Sequence, residues 1–422
     1  MRIKLHYGYE SVEVEIPNRN ILAVLEPRKV KGEDVDTAIK SALRNPINGL
    51  DLASIVRSKR RVLVIIDDYT RETPTSKILP IMIKELMRLG IKRKDIDIMM
   101  ALGTHRLPSK EEIYNKVGDI ADEHELLFHD WKHDEMIYLG RSPRDIPIYL
   151  NKKILKYEIL IGIGMIVPHR VSGYSGGSKI IQPGISGAET TGHTHWLSAM
   201  IPVEEILGIV RNKVREEMDY VADVSRLRAV INVIMRGSKV VRAFFGNHKE
   251  VYERGADVAR EVYGVNLKER ADIVIAECPP PKDIDMWQAA KALYSAAVAV
   301  KKSGSIILLA KCTEGISREH PEVEIHGYHT YEEVKRMLDE GEINDLIAAA
   351  HIAHVGEIIK KKAKCYLVSD MARKTVEKVG FIYVKSCEEA LEEAIKEHGT
   401  SSKIVIIKNA PDMLPIVGEE YG

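Results

Sequence analysis

Between Met165 and Trp196 the chain sets one lysine and three histidines, Lys179, His169, His193 and His195, among six glycines and several serines. With no Cβ atoms in the way, such a stretch lets backbone N–H groups approach an anion. Imidazoles beside it can move protons or ligate a metal. A lysine in that setting is a phosphate ligand, a Schiff-base nucleophile or a covalent anchor for a cofactor. Generic motifs do not choose among these. Gly173 to Lys179 is not a Walker A loop, because Ile180 stands where Ser or Thr would hold magnesium, and it is not GxGxxG. His193 and His195 could share one metal only in extended chain, so one of them is expected to serve. His169 follows Pro168 at a strand end and is the strongest acid/base candidate by position.

Three further groups could face the same site. Asp68 and Arg71 lie between an apolar strand and a helix, where they make either a structural ion pair or an anion site built on the Arg fork. His105 follows a second strand within Gly103-Thr104-His105-Arg106. Gln288 and Lys291 share a face in the first turn of a helix, a setting that suits a carboxylate as well as it suits ordinary surface residues. His124, His129, His133, His320, His326 and His329 form no cluster and read as surface residues.

The elements that must position these groups read as an α/β chain. Residues 1–18 form a hairpin pattern, and the segments 61–67, 96–102, 126–129, 146–150 and 159–163 are short apolar runs of the kind buried in parallel sheets. Helices intervene, one of them with Thr73 as its expected N-cap and Pro74 at its first position. After Lys268 the alternation starts again, with strands at 271–276, 305–310 and 365–369. At 422 residues, two domains are expected. The expected division is an N-terminal domain that carries the Lys179 loop, 1–267 plus 400–422, and a C-terminal α/β domain, 268–399. The strand-like 403–408 would return to the first domain. The fold class is α/β, two doubly wound domains with a cofactor and substrate crevice between them, because ligands bind at the carboxyl edge of such sheets.

Composition narrows the function. Lys plus Arg and Asp plus Glu are equal at 62 each, which removes the electrostatic case for nucleic acid. The four cysteines form no CxxC pair, so reduced thiols and a cytoplasmic location are expected. No signal peptide pattern or bilayer-length apolar run is present in the sequence, so no membrane partner is expected.

Taken together, these groups resemble the nickel-dependent lactate racemase family. The resemblance is carried by Pro-His169 with Ser-Gly-Gly-Ser-Lys179, by His195 sixteen residues later, by Asp68-x-x-Arg71 before Thr-Pro, by Leu-Gly-Thr-His105-Arg, and by Trp287-Gln288-x-x-Lys291. It implies an isomerase that racemises or epimerises a 2-hydroxy acid by proton-coupled hydride transfer. The implied cofactor is a nickel-pincer nucleotide, pyridinium-3,5-bisthiocarboxylic acid mononucleotide, attached covalently to Lys179 and supplied by cofactor-synthesis enzymes. By the same resemblance His195 would ligate nickel, and His105 and His169 would be the acid/base pair. Asp68, Tyr69, Thr70 and Arg71, with Ser172 and Gly173, would bind the nucleotide. Gln288 and Lys291 would hold the substrate carboxylate, with Trp287 against the substrate. Trp287 stands where a tyrosine is common in the family, and the region near His351 lacks the tryptophan of some members. Sequence therefore does not choose among lactate, malate, longer 2-hydroxy acids and sugar acids. Two other readings remain open at this point: a non-catalytic phospho-ligand-binding protein, and a hydrolase with a simple metal at His193 and His195.

Overall fold

The computed structural model describes residues 1–57 and 61–418. Two six-stranded sheets organise the chain. The first runs, in spatial order, Lys239–Gly246, Leu227–Arg236, Ile159–Met165, Val62–Asp67, Ile96–Ala101 and Leu126–Phe128. All its pairings are parallel except that between 227–236 and 239–246, which form a hairpin at one edge. Its central strands are apolar on both faces because helices cover both sides. Val62 to Ile66 are all fully buried.

The strand order reverses at Val62–Asp67. From there the chain proceeds outward to 96–101 and 126–128 on one side, then returns to 159–165 on the other. A crevice opens at the carboxyl ends of strands where such a reversal occurs. The segments 68–71, 103–105 and 168–179 leave these carboxyl ends, so topology alone gathers them.

The second sheet is parallel throughout, in the order Ile382–Val384, Ala363–Val368, Val300–Leu309, Ala271–Glu277, Ile404–Ile407 and Ile21–Leu25. This corrects the expected domain division. Ile404–Ile407 pairs with 271–277 and with 21–25, so a strand from each end of the chain completes the second sheet. The physical reason is burial. Ile404 and Ile406 are fully enclosed against Ile3, Leu5, Val14 and Ile16 of the N-terminal hairpin, which caps this sheet. Only Leu414–Val417 turns back, pairing with Gly264–Leu267. Residues 419–422, part of the expected return, lie outside the described residues.

Two local expectations also change. The helix Thr75–Arg88 begins after Pro74, and Thr73 donates its hydroxyl to Asp67 instead of capping it. His193 and His195 lie on a helix, Ala188–Ala199, where residues two apart point to different sides. His129 and His320, read as surface, are buried. His129 bonds Ser186 and Asn151, and His320 is wedged between Trp131 and Trp287.

Candidate active site

The carboxyl ends of both sheets contribute to one cavity of about 140 Å³, partly open to solvent. Asp68, Arg71, His105, His169, Lys179 and His195 enter it from the first unit; Trp287, Lys291 and His351 enter from the second.

The loop that carries Lys179 is held by groups behind it. Arg215, on the helix Lys213–Ser225, donates to the carbonyls of Gly176, Ser172 and Tyr174 and to the Ser178 hydroxyl. Asn232 accepts the Gly177 N–H at 2.7 Å. Gly176 and Gly177 take φ of +80° and +58°, a region that L side chains rarely adopt, and so deliver Lys179 in a tight turn. Burial, the Arg71 charge and Arg215 bring the Lys179 amine down to about 7, against a smaller opposing pull from Asp68. Among the described residues its amine has no hydrogen-bond or ion-pair partner. A half-neutral, unpartnered lysine is a nucleophile.

His195 lines the cavity with its Nδ1 2.8 Å from the Thr191 carbonyl one turn back. A carbonyl can only accept, so Nδ1 carries the proton and Nε2 keeps its lone pair. Burial, then Lys179, lower this ring to about 4, so it is a neutral donor nitrogen of the kind metals bind. His193 does not line the cavity.

The two other histidines differ from each other. His105 Nδ1 lies 3.3 Å from Asp68 Oδ2, at ion-pair distance though not aligned as a hydrogen bond. Its Nε2 accepts from the Gln288 amide at 3.0 Å. Burial lowers its pKa more than Asp68 raises it, so near neutral pH the ring is uncharged. Burial alone would raise the Asp68 carboxyl, but His105, Arg71 and Thr70 hold it well below its ordinary value. His169 Nδ1 accepts the Val171 N–H at 3.2 Å, so a neutral ring carries its proton on Nε2. Burial and the cations Lys179, Arg71 and Lys291 push its pKa well down.

Across the crevice the helix Met286–Ala299 starts with Asp285 as N-cap, its carboxylate accepting the Gln288 N–H. Lys291 donates to the Gln288 side-chain oxygen. Burial, then Arg71, depress Lys291 well below an ordinary lysine, so an arriving carboxylate would restore its charge. Arg71 pairs with no carboxylate among the described residues, which removes the structural ion-pair reading with Asp68. Lys116, itself buried, reaches the Arg71 carbonyl at 2.9 Å and Asp67 at 2.7 Å, and so fixes the 67–71 segment.

Not every expected residue joins the cavity. Tyr69 packs under Arg106, and Thr70 bonds Asp68; both line a smaller neighbouring pocket. The Ser172 hydroxyl donates to the Tyr174 carbonyl, and Gly173 packs on the Ile209 carbonyl, away from the wall. Conversely, Tyr294, His351 and His354 line the cavity unforeseen. Tyr294 continues the face of Lys291 at i,i+3, a helical signal legible in the sequence; the two histidines arrive from a distant helix, Leu346–Glu357.

A doubly wound pair of α/β units that encloses buried lysines and neutral histidines in a shared crevice defines a small-molecule enzyme. Models described as the lactate racemase N-terminal domain and C-terminal domain match residues 7–206 and 266–414. The lactate racemase of Lactiplantibacillus plantarum is 26% identical over 98% of this chain and 99% of its own. That of Thermoanaerobacterium thermosaccharolyticum is 28% identical over 74% of this chain and 75% of its own. The solved structure of the lactate racemase apoprotein from the same organism superposes with a TM-score of 0.88 at 25% identity, covering 99% of this chain and 100% of that one. The chain belongs to the lactate racemase family, and it is an isomerase.

Proposed function

We propose that this protein racemises or epimerises a 2-hydroxy acid, lactate or a relative of it, with a lysine-tethered nickel-pincer nucleotide. The observation that carries the reading is the pairing, in one cavity, of an unpartnered Lys179 amine near pKa 7 with a His195 ring whose Nε2 lone pair is left free. The residues fit the group. Lys179 can form an amide-type bond, Arg71 offers a phosphate a guanidinium that has no carboxylate partner among the described residues, and His195 offers one metal ligand. Among the described residues no three His, Cys, Asp or Glu side chains converge as a metal site, so a metal at His195 needs ligands that arrive with it. The helical placement of His193 and His195 also weighs against a simple metal hydrolase built on the two.

When bound, the nucleotide would supply a reversible acceptor for the hydrogen and electron pair on the substrate's C2. The chain's own residues do the rest. Lys291 and Gln288 hold the carboxylate, and Gln288 leaves His105 Nε2 to do so. His105 then takes the hydroxyl proton, and the Asp68 carboxylate steadies the imidazolium that forms. His169, from its own loop, would return the proton to the same oxygen as an imidazolium and be left neutral with its remaining proton on Nδ1, giving up the Val171 N–H bond, and it would serve the opposite enantiomer by the reverse proton movement. The flat 2-oxo acid must stay enclosed, so the two units that contribute to the cavity wall would have to close over its open side to exclude bulk water.

Intact mass of protein co-produced with cofactor-synthesis enzymes should show an adduct that Lys179→Ala lacks, together with bound nickel. His105→Ala and His169→Ala should keep the adduct and lose turnover in a chiral chromatographic assay. Absence of adduct and nickel would remove the cofactor assignment, and full activity in either histidine variant would remove the acid/base assignment. A phospho-ligand-binding protein would load without turning over any 2-hydroxy acid.

A further inference from the structure

The wall beyond Lys291 carries two polar atoms that, among the described residues, have no hydrogen-bond partner. Trp287, Lys291 and Tyr294 stand at i, i+4 and i+7 on one stripe of the Met286–Ala299 helix and all face the cavity. His351 lies flat on Trp287, with ring centroids 4.1 Å apart, while His320 covers the other face of the indole at 4.4 Å. The stacked indole therefore has no free face for a ligand, and only its edge remains. His351 spends Nε2 on a long 3.4 Å contact with the Tyr328 hydroxyl. Among the described residues, the Tyr294 hydroxyl and His351 Nδ1 have no hydrogen-bond partner, and neither is among the atoms sealed away from solvent.

The His351 and Tyr294 side chains are also uncharged. Burial, with His320, His195 and Lys291, holds His351 near pKa 3, so it is a neutral ring that can donate at one nitrogen and accept at the other. Burial raises the Tyr294 phenol, which keeps its proton. The Arg170 guanidinium, which also lines the cavity, donates from its Nη atoms to the Ser198 and Ile201 carbonyls, and its Nε has no partner but is sealed from solvent. Groups that both donate and accept match a hydroxyl, which does the same. A methyl or alkyl chain would shut two polar atoms into a dry contact.

We propose that the 2-hydroxy acid carries a hydroxylated tail beyond C2, and that Tyr294 and His351 are the specificity residues that read it. The proposal rests on the racemase reading of the site and narrows its substrate class. A site built to bond a hydroxyl rejects an alkyl isostere strongly, because its own polar atoms are left unpaired.

The test compares matched pairs on the cofactor-loaded enzyme: glycerate against 2-hydroxybutyrate, and gluconate against 2-hydroxyhexanoate, with malate as the anionic tail. Inversion at C2 is followed by chiral chromatography. The hydroxylated member of at least one pair should exceed its alkyl partner in kcat/KM by at least about tenfold. Tyr294→Phe, which removes one oxygen, and His351→Leu should each bring that ratio down toward one. Preference for the alkyl partners or for malate overturns the proposal, as does a ratio unmoved in both variants. If no 2-hydroxy acid is turned over, the racemase reading itself fails. Calorimetry on the same protein then still decides the role of the wall: tighter binding of gluconate than of 2-hydroxyhexanoate sustains it, and equal or reversed affinities overturn it.

Discussion

Lys179 can be examined without any cofactor, through the acidity of its amine. Burial in the cavity wall and the neighbouring guanidiniums take it from 10.5 to about 7. That fall corresponds to roughly 5 kcal/mol between the charged and neutral forms, an upper value because the cavity admits water. At pH 7.4 roughly 0.7 of the amine is then neutral, against about 0.001 for an ordinary lysine. The assay is competitive acylation of the apoprotein with trace acetic anhydride from pH 5 to 11, with the labelled peptide quantified by mass spectrometry. The labelling rate of Lys179 should rise with a midpoint near 7 and level off. The same property fixes a sign for stability. Because the folded amine titrates below the unfolded one, the unfolded chain binds more protons between about pH 7 and 10.5, so this group makes the apoprotein gain stability as pH rises through that window. Lys179→Met should therefore be more stable than the parent at pH 7, by about 2 kcal/mol after allowance for screening, and the difference should vanish by about pH 10.5. A labelling midpoint above about 9.5 would refute the electrostatic account of the loop, and with it the reason for expecting this lysine to be the anchor.

The other predictions concern the second partner of each buried group. Asp68→Asn keeps the shape beside His105 but removes the charge that steadies its imidazolium; turnover should fall by about 10²-fold with the Lys179 adduct retained, and a change under twofold would show that Asp68 does not support His105. Acid should destabilise the fold from about pH 6.5 downward, because His129 and His195 titrate near 4 when folded and the unfolded chain takes up their protons first. His129→Asn should lessen that loss in urea melts between pH 6.5 and 4, and an unchanged slope would count against it. Lys282 and Asp412 form a buried pair at 2.6 Å that joins the loop after 271–277 to the one after 404–407. Asp412→Ala should cost about 3 kcal/mol by stranding the lysine charge, and Lys282→Met together with Asp412→Leu should recover most of it; equal losses in the two variants would show that packing and not charge sets the cost.

Much of the architecture was open to reading because it follows from short-range chemistry. An apolar run such as Val62 to Ile66 can only be an interior strand, and a turn with glycines at positions 176 and 177 must be tight. His169, His105 and Arg71 stand out by their positions after strand ends and Lys179 by its setting among glycines, and the structure gathers them in one cavity. The fate of Ile404–Ile407 could not be read in this way. A four-residue apolar strand fits the centre of either sheet, and its partners at 21–25 and 271–277 are far away in sequence.

The sequence by itself determined which side chains could act and that sheet edges would present them. Only the tertiary structure decided the protonation and the company of those side chains. Lys179 and Lys291 are depressed because the fold removes water and counter-charge from around them, and no local pattern encodes that. The proposed division of roles between His105 and His169 rests likewise on what meets each Nδ1, a carboxylate for one and a backbone N–H for the other. His351, whose sequence neighbours are alanines and isoleucine, reaches Trp287 because two helices more than forty residues apart pack against one crevice. Contacts of that range are settled by the burial of whole helix faces, and burial is a property of the assembled chain.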